Sequence, residues 1–211
     1  MRTRLGPRAT WIPAMVLFFL APEPTAASGG LINDGSFELG PPPASGWTET
    51  NGSTCERIGD FSSTWYVSAY HGTNDYWAGG TCDNGSGAEP ISSSVAQTLT
   101  IPPAATQLSF YYIAFRPDAD DPAPDGDRAY VAVNGVEVWS LPLVRANDTY
   151  PNWSELETVD LSAYAGQSVT LTFGGHSEGA VTGNLRFDYV SLSAPAPVES
   201  ATWGAIKALF P

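Results

Sequence analysis

Short runs of alternating or wholly apolar residues recur along the chain at 31–38, 64–70, 75–79, 93–101, 107–116, 128–133, 136–141, 155–161, 167–174 and 184–192. A period of two turns one side of a strand to a core and the other to water. Gly, Pro, Asn, Asp and Ser clusters separate the runs, and before residue 200 no stretch sustains the period of a helix. The pattern predicts an all-β fold, a sandwich or jelly roll. Its sharpest local statement is Ala129 to Trp139, where Asn134-Gly135 sits between two β-rich runs as in a two-residue hairpin turn. Strict pairing from that turn sets Val133 opposite Val136 and Val131 opposite Val138 on a core face. It sets Ala132 opposite Glu137 and Tyr130 opposite Trp139 on a wetter face. Leu108 to Phe115 is apolar on both parities and reads as a strand covered on both sides. Val169, Leu171 and Phe173 alternate with Thr170 and Thr172, so one face of that strand meets water.

Composition sharpens this picture. With 43% of its 211 residues apolar and 12% aromatic, the chain can build one core, and 21 Gly and 18 Pro leave little room for long helices. Nine basic residues against 22 acidic ones give a net charge of −13, which argues against nucleic acid, since a phosphate backbone needs a basic surface. Arg2, Arg4 and Arg8 precede an apolar run from Trp11 to Ala21, and Thr25-Ala26-Ala27 supplies small residues where a signal peptidase cuts. Residues 1–27 therefore read as a secretory signal peptide, too short in its apolar part for the roughly 20 residues of a membrane span. Cleavage after Ala27 removes three arginines and Glu23, taking the charge from −13 to −15. The sandwich is expected over 28–193. Ala194 to Ser200 reads as a stiff Pro-rich linker, and 201–211 as a short tail, helical or frayed, able to dock a protein partner.

Export to an oxidising space points to a disulfide between Cys55 and Cys82, the only two cysteines. Two free thiols or half a metal site are the alternatives, although His71 and His176 have no zinc-like spacing. Closing this loop would contribute about 3.5 kcal/mol on the chain-entropy account.

Leu31-Ile32-Asn33-Asp34-Gly35-Ser36-Phe37-Glu38, followed by Gly46-Trp47, resembles the first strand of galactose-binding-like jelly rolls. That group contains several carbohydrate-binding module families and the MAM-like domains. Val95 to Pro102 with Leu108-Ser109-Phe110-Tyr111-Tyr112 looks like their paired middle strands. Val159 to Gln167 and Phe187-Asp188-Tyr189-Val190-Ser191-Leu192 are similar to the late strands of jelly rolls appended to secreted bacterial proteases and glycosidases. The resemblance spans about 30–193 and implies a jelly-roll β-sandwich of two antiparallel sheets with a structural calcium joining Glu38 to Asp188, chemically apt because calcium takes six to eight oxygens. The MAM-like Asp before a His-Thr-Thr-Gly-like turn is absent here, where Tyr70 precedes His71-Gly72-Thr73, with Asp75 as a substitute ligand.

Several motifs bear on chemistry. Gly175-His176-Ser177-Glu178-Gly179 matches the GxSxG elbow, but strand-like residues surround it and no His follows Ser177. Glu155 and Glu157, two apart, would share one strand face like a glycosidase pair. Asp118, Asp120, Asp121, Asp125 and Asp127 crowd one loop, either a solvated acidic segment or a second calcium site. Asn51, Asn84, Asn147 and Asn152 each open an Asn-X-Ser/Thr acceptor sequence. Trp65, Tyr66, Tyr70, Tyr76 and Trp77 cluster with Asn74 and Asp75 around a Gly-containing stretch, and Trp139, Tyr150 and Trp153 form a second group. Aromatic planes flanked by amides and carboxylates suit the CH faces and hydroxyls of sugars. The expectation is a secreted, non-catalytic module binding a neutral glycan through Trp65, Tyr66, Tyr70, Asn74, Asp75, Tyr76 and Trp77. An adhesive protein-binding module is the first alternative and a glycosidase or lyase the second.

Overall fold

A computed structural model describes residues 31–51, 57–79, 91–115, 127–177 and 183–194. Residues 1–27, read above as a signal peptide, the expected disulfide partners Cys55 and Cys82, Asn84, the loop acids from Asp118 to Asp125, and most of the expected linker and tail lie outside these residues.

Among the described residues, ten strands form two antiparallel five-stranded sheets: β1 (Thr48–Asn51), β2 (Ile58–Gly59), β3 (Asp75–Gly79), β4 (Ile91–Thr100), β5 (Gln107–Phe115), β6 (Arg128–Val133), β7 (Val136–Pro142), β8 (Glu157–Asp160), β9 (Ser168–Ser177) and β10 (Asn184–Ser193). Sheet 1 runs β1-β4-β9-β6-β7 and sheet 2 runs β2-β3-β10-β5-β8. Among the described residues no helix is long and apolar enough to cross a membrane.

The core lies between the sheets. Val95, Val131, Leu171 and Phe173 of sheet 1 meet Tyr76, Leu108, Phe110 and Phe187 of sheet 2, all buried. Phe173 and Phe187 pack edge to face at 5.0 Å, and Phe110 meets both. Edge-to-face rings put positive rim on negative face, which adds to the apolar burial. The expected alternation in β9 holds: Val169, Leu171 and Phe173 are buried while Thr170 is exposed.

Three local expectations yield to other chemistry. Residues 31–38 are not a strand. Asp34 and Phe37 both adopt left-handed φ (55° and 58°), Phe37 N–H donates to the Asp34 carbonyl, and the Asp34 carboxylate accepts Leu39 N–H. Turn chemistry wins because an Asx side chain supplies the bond a partner strand would have supplied. This turn docks on the last strand, Val190 N–H donating to the Gly35 carbonyl, and Trp47 donates to the Asp34 carbonyl from below. Residues 64–70 are not a strand either. Asp60 accepts Ser62 N–H and starts one helical turn, α1 (Ser62–Trp65), which a left-handed Tyr66 ends. Glu155 precedes β8, so it and Glu157 do not share a strand face.

The Asn134-Gly135 turn forms as predicted, both residues at positive φ. Beyond its first two pairs the register departs from strict alternation. Val133 opposes Val136 and Ala132 opposes Glu137, but a bulge at Val138 then sets Val131 against Trp139 and Tyr130 against Ser140. One extra residue exchanges the faces of everything after it. Trp139 thereby turns inward, edge-on to Phe110 at 5.2 Å and 6.1 Å from Phe187, instead of lying beside Glu137. Trp139→Ala should cost at least about 2 kcal/mol in denaturant unfolding, short of the roughly 3–5 of a wholly enclosed aromatic. Val136→Ala, at an exposed position, should stay within about 0.5 kcal/mol. A neutral Trp139→Ala would put the ring outside the core.

Candidate functional site

The outer face of sheet 2 carries Asp75 and Trp77 on β3, Arg186 and Asp188 on β10, and Tyr111, Ile113 and Phe115 on β5. Two connecting segments cross it and keep much of it from water. Trp65, ending α1, wedges edge-on between Trp77 (5.6 Å) and Phe115 (5.3 Å). From the other side Tyr150 packs on Phe115 at 4.7 Å and donates to the Trp65 carbonyl, while Trp153 donates to the Ser68 carbonyl. Arg186 fastens the layers together. Its guanidinium makes a two-pronged ion pair with the Asp75 carboxylate, donates to the Val67 carbonyl at 2.8 Å, and lies 5.5 Å from the Trp153 ring centre.

Where this cover ends, four aromatics are left on an open face. Tyr70, 43% exposed, stacks on Tyr111 with centroids 3.6 Å apart and planes 16° from parallel. Tyr189 lies 5.9 Å from Tyr70 and 6.4 Å from Tyr111, and exposed His71 lies 5.1 Å from Tyr189. Strict alternation along β10 would bury Tyr189 beside Phe187. A bulge between Asp188 and Ser191 and a left-handed φ of 55° at Tyr189 bring its ring to this cluster. Such strain in a non-glycine residue persists only where its surroundings enforce it, and it collects at functional sites. The hydrogen bond with Tyr70, aided by desolvation, pushes the Tyr111 hydroxyl up to about 12, so it keeps its proton at neutral pH.

Carboxylates hold the loop beneath the rings. Glu38 accepts Thr73 N–H at 2.9 Å and Asn74 N–H at 2.8 Å, and Asp188 accepts His71 N–H at 2.8 Å and Tyr189 N–H at 2.6 Å. The two residues expected to share calcium thus meet at one loop. They suit a cation in charge, since burial and the nearby charges of Asp75 and Glu38 disfavour the ionised form of Asp188. Among the described residues no group of three acidic, His or Cys side chains is assembled as a metal site, so carbonyls or water would complete any shell.

The predicted ligand residues divide. Tyr70 is in the exposed cluster. Tyr66 is exposed at 88%, at the left-handed end of α1. Trp65 is half-buried as a wedge, and half-buried Asn74 serves the loop through its backbone N–H. Asp75, Tyr76 and Trp77 are interior, and here the sequence expectation is corrected. Tyr76 points into the sandwich against Phe37 and Phe187, Trp77 lies under Phe61 and Trp65, and Asp75 is committed to Arg186. Density of aromatics signalled a two-sided strand, not an open loop. Tyr111, Tyr189, His71 and Trp153 were not among the predicted ligand residues. Tyr111 had a signal, an aromatic on the non-core parity of β5; Tyr189 had none, because a bulge leaves no periodic trace. The GxSxG match is closed as chemistry, since Ser177 is buried in β9 and its hydroxyl donates to Asp127.

Burial raises the Asp188 carboxyl to about 7 and Asp75 to about 6, the latter despite the lowering effect of Arg186. Unfolding returns both to the ordinary carboxylate range, so between about pH 4 and pH 7 the folded chain holds protons that the unfolded chain releases. Their contribution to stability is fullest near pH 4 and is lost as pH rises through 6 to 7. Chelator-treated protein should melt at a higher temperature near pH 5 than near pH 7.5. Asp188→Asn should melt lower near pH 5, because its amide meets a backbone N–H, and should show a flatter slope. An unchanged slope in the variant would put the titration elsewhere.

No protein-family profile and no curated sequence matches the chain. Solved structures do match its fold. It superimposes on the K1 adhesin domain of Lys-gingipain from Porphyromonas gingivalis W83 with a TM-score of 0.54 at 16% identity, covering 80% of this chain and 100% of that one. The K3 adhesin domain of the same protein gives 0.51 at 14% identity, covering 77% and 96%. The carbohydrate-binding module TmCBM61, solved with β-1,4-galactotriose, gives 0.48 at 14%, covering 76% and 95%. The chain therefore has the jelly-roll sandwich of adhesin domains, as its resemblance to galactose-binding-like jelly rolls implied.

Proposed function

We propose that this protein is an exported, non-catalytic carbohydrate-binding module whose platform is Tyr70, Tyr111, Tyr189 and His71. The observation that carries the reading is the stacked Tyr70–Tyr111 pair with strained Tyr189 beside it, left open where the rest of the face is covered. Tyrosine offers a sugar an apolar ring for its CH face and a hydroxyl for its own hydroxyls. The net charge of −13 favours a neutral glycan over an acidic one. Calcium is the ion this reading carries, held by Glu38 and Asp188, where it would stiffen the 71–74 loop that sets His71 and Tyr70.

A glycan array with residues 28–211 should retain neutral oligosaccharides. Tyr70→Ala should weaken retention by about fivefold or more, on the order of 1 kcal/mol, with the melting temperature nearly unchanged because the ring is largely outside the core. Retention of proteins but no glycan would turn the reading to an adhesive module. Sugar release from the array would turn it to an enzyme.

Saturating calcium should raise the melting temperature by the mass action of a ligand that binds only the folded state, about 2.7 kcal/mol at a hundredfold excess over Kd. Glu38→Gln should abolish the gain. Identical melting with calcium and with chelator removes the ion from the reading and leaves the aromatic platform to be judged by the array.

A further inference from the structure

The outer face of sheet 1 contains a second feature, on the opposite side of the sandwich from the Tyr70 cluster and independent of it. The register of three adjacent strands puts side chains in lateral rows. Tyr130 on β6, Gly174 on β9 and Ser94 on β4 form one row; Arg128, His176 and Ser92 form the row on one side; Ala132, Thr172 and Ala96 form the row on the other. Gly174 decides the geometry. A Cβ there would collide with the outer end of the Tyr130 ring, so the ring reaches over β9 and brings its hydroxyl toward Ser94 one strand further on. Small residues at 96 and 132 keep the neighbouring floor low.

Polar groups wall this floor. Arg128 and Glu137 form an ion pair at 2.9 Å with each side chain 40% exposed, and the guanidinium lies 5.9 Å from the Tyr130 ring centre. Ser92 and His176 share a hydrogen bond at 2.6 Å. Together with Thr172 they bound a groove of about 340 Å³, within the roughly 300–1,000 Å³ of small-ligand sites.

We propose that this groove is a second binding site for a neutral pyranose unit, with its CH face on Tyr130 and its hydroxyls bridging Glu137, Arg128 and the Ser92–His176 pair. The wall offers acceptor and donor side by side, which matches a hydroxyl, a group that is both. An acidic sugar or a phosphate meets Glu137 at the site and a net charge of −13 on approach. A flat apolar peptide face finds a ring too small and walls too polar. With both sites filled, one domain holds two glycan segments on opposite faces.

Amide NMR of the 15N-labelled protein, titrated with the methyl β-glycosides of galactose, glucose, mannose and xylose, tests this site by site. At least one sugar should shift amides at 130–132 and 174–176. Tyr130→Ala should weaken that response about tenfold or more. If Tyr130→Ala does not fold, Glu137→Ala, on an exposed side chain, should give the same loss. No response at these amides from any of the four sugars overturns the proposal. Shifts confined to 70–73, 111 and 189 overturn it while supporting the Tyr70 platform; shifts confined to the groove uphold it and overturn the platform.

Discussion

Arg186 is the residue on which the organisation of sheet 2 turns. It is 3% exposed on β10, and its partner Asp75 on β3 is 0% exposed, so two charges have been taken out of water on what would otherwise be the wet face of a sandwich. Such a pair is tolerable only when good geometry and further hydrogen bonds compensate the lost water, and removing one partner typically costs about 3–5 kcal/mol. Arg186 meets that demand with two bonds to Asp75, one to the Val67 carbonyl and an aromatic face from Trp153. Those last contacts come from the two connecting segments, so the ion pair requires the cover and the cover is held by the ion pair.

The cover explains which aromatics are displayed and which are buried. Trp65, Phe61 and Tyr150 close over Trp77 and Phe115. It stops at Tyr70, beyond which the surface beneath is carboxylate: Asp188, held by His71 N–H, and Glu38, held by Thr73 and Asn74 N–H. Backbone N–H groups solvate these anions and in doing so draw the 71–74 loop down. The tyrosines at the rim are exposed because the loop is spent on acids below it. Sheet 1 shows no such cover among the described residues: its outer face is largely Ser, Thr, Ala and Gly around Tyr130, Arg128, Glu137 and His176.

The two bulges have the same physical role on opposite sheets. At Val138 one extra residue turns Trp139 into the core and leaves Glu137 outside to meet Arg128. Between Asp188 and Ser191 another brings Tyr189 out to Tyr70 and Tyr111. Each moves one large aromatic across the sheet without changing the strand order, and each candidate sugar surface depends on one of them.

The sequence by itself determined the class of fold, because a period of two is a local property: the buried Val169, Leu171 and Phe173 of β9 follow from alternation alone, and the Asn134-Gly135 turn from its own φ preferences. Glu38 and Asp188 were legible as a pair through the family resemblance, and they do meet at one loop. Other features depended on which of two local signals won. Asp34 and Asp60 carry turn and cap chemistry that outweighed the strand-like spacing around them. Tertiary structure alone decided the sites. Whether Trp77 faces a sugar or a tryptophan depends on a segment crossing from elsewhere in the chain. Whether Tyr130 can reach over β9 depends on a glycine 44 positions away. Side-chain display is a property of what packs above and below a strand, and no window of sequence contains its own neighbours.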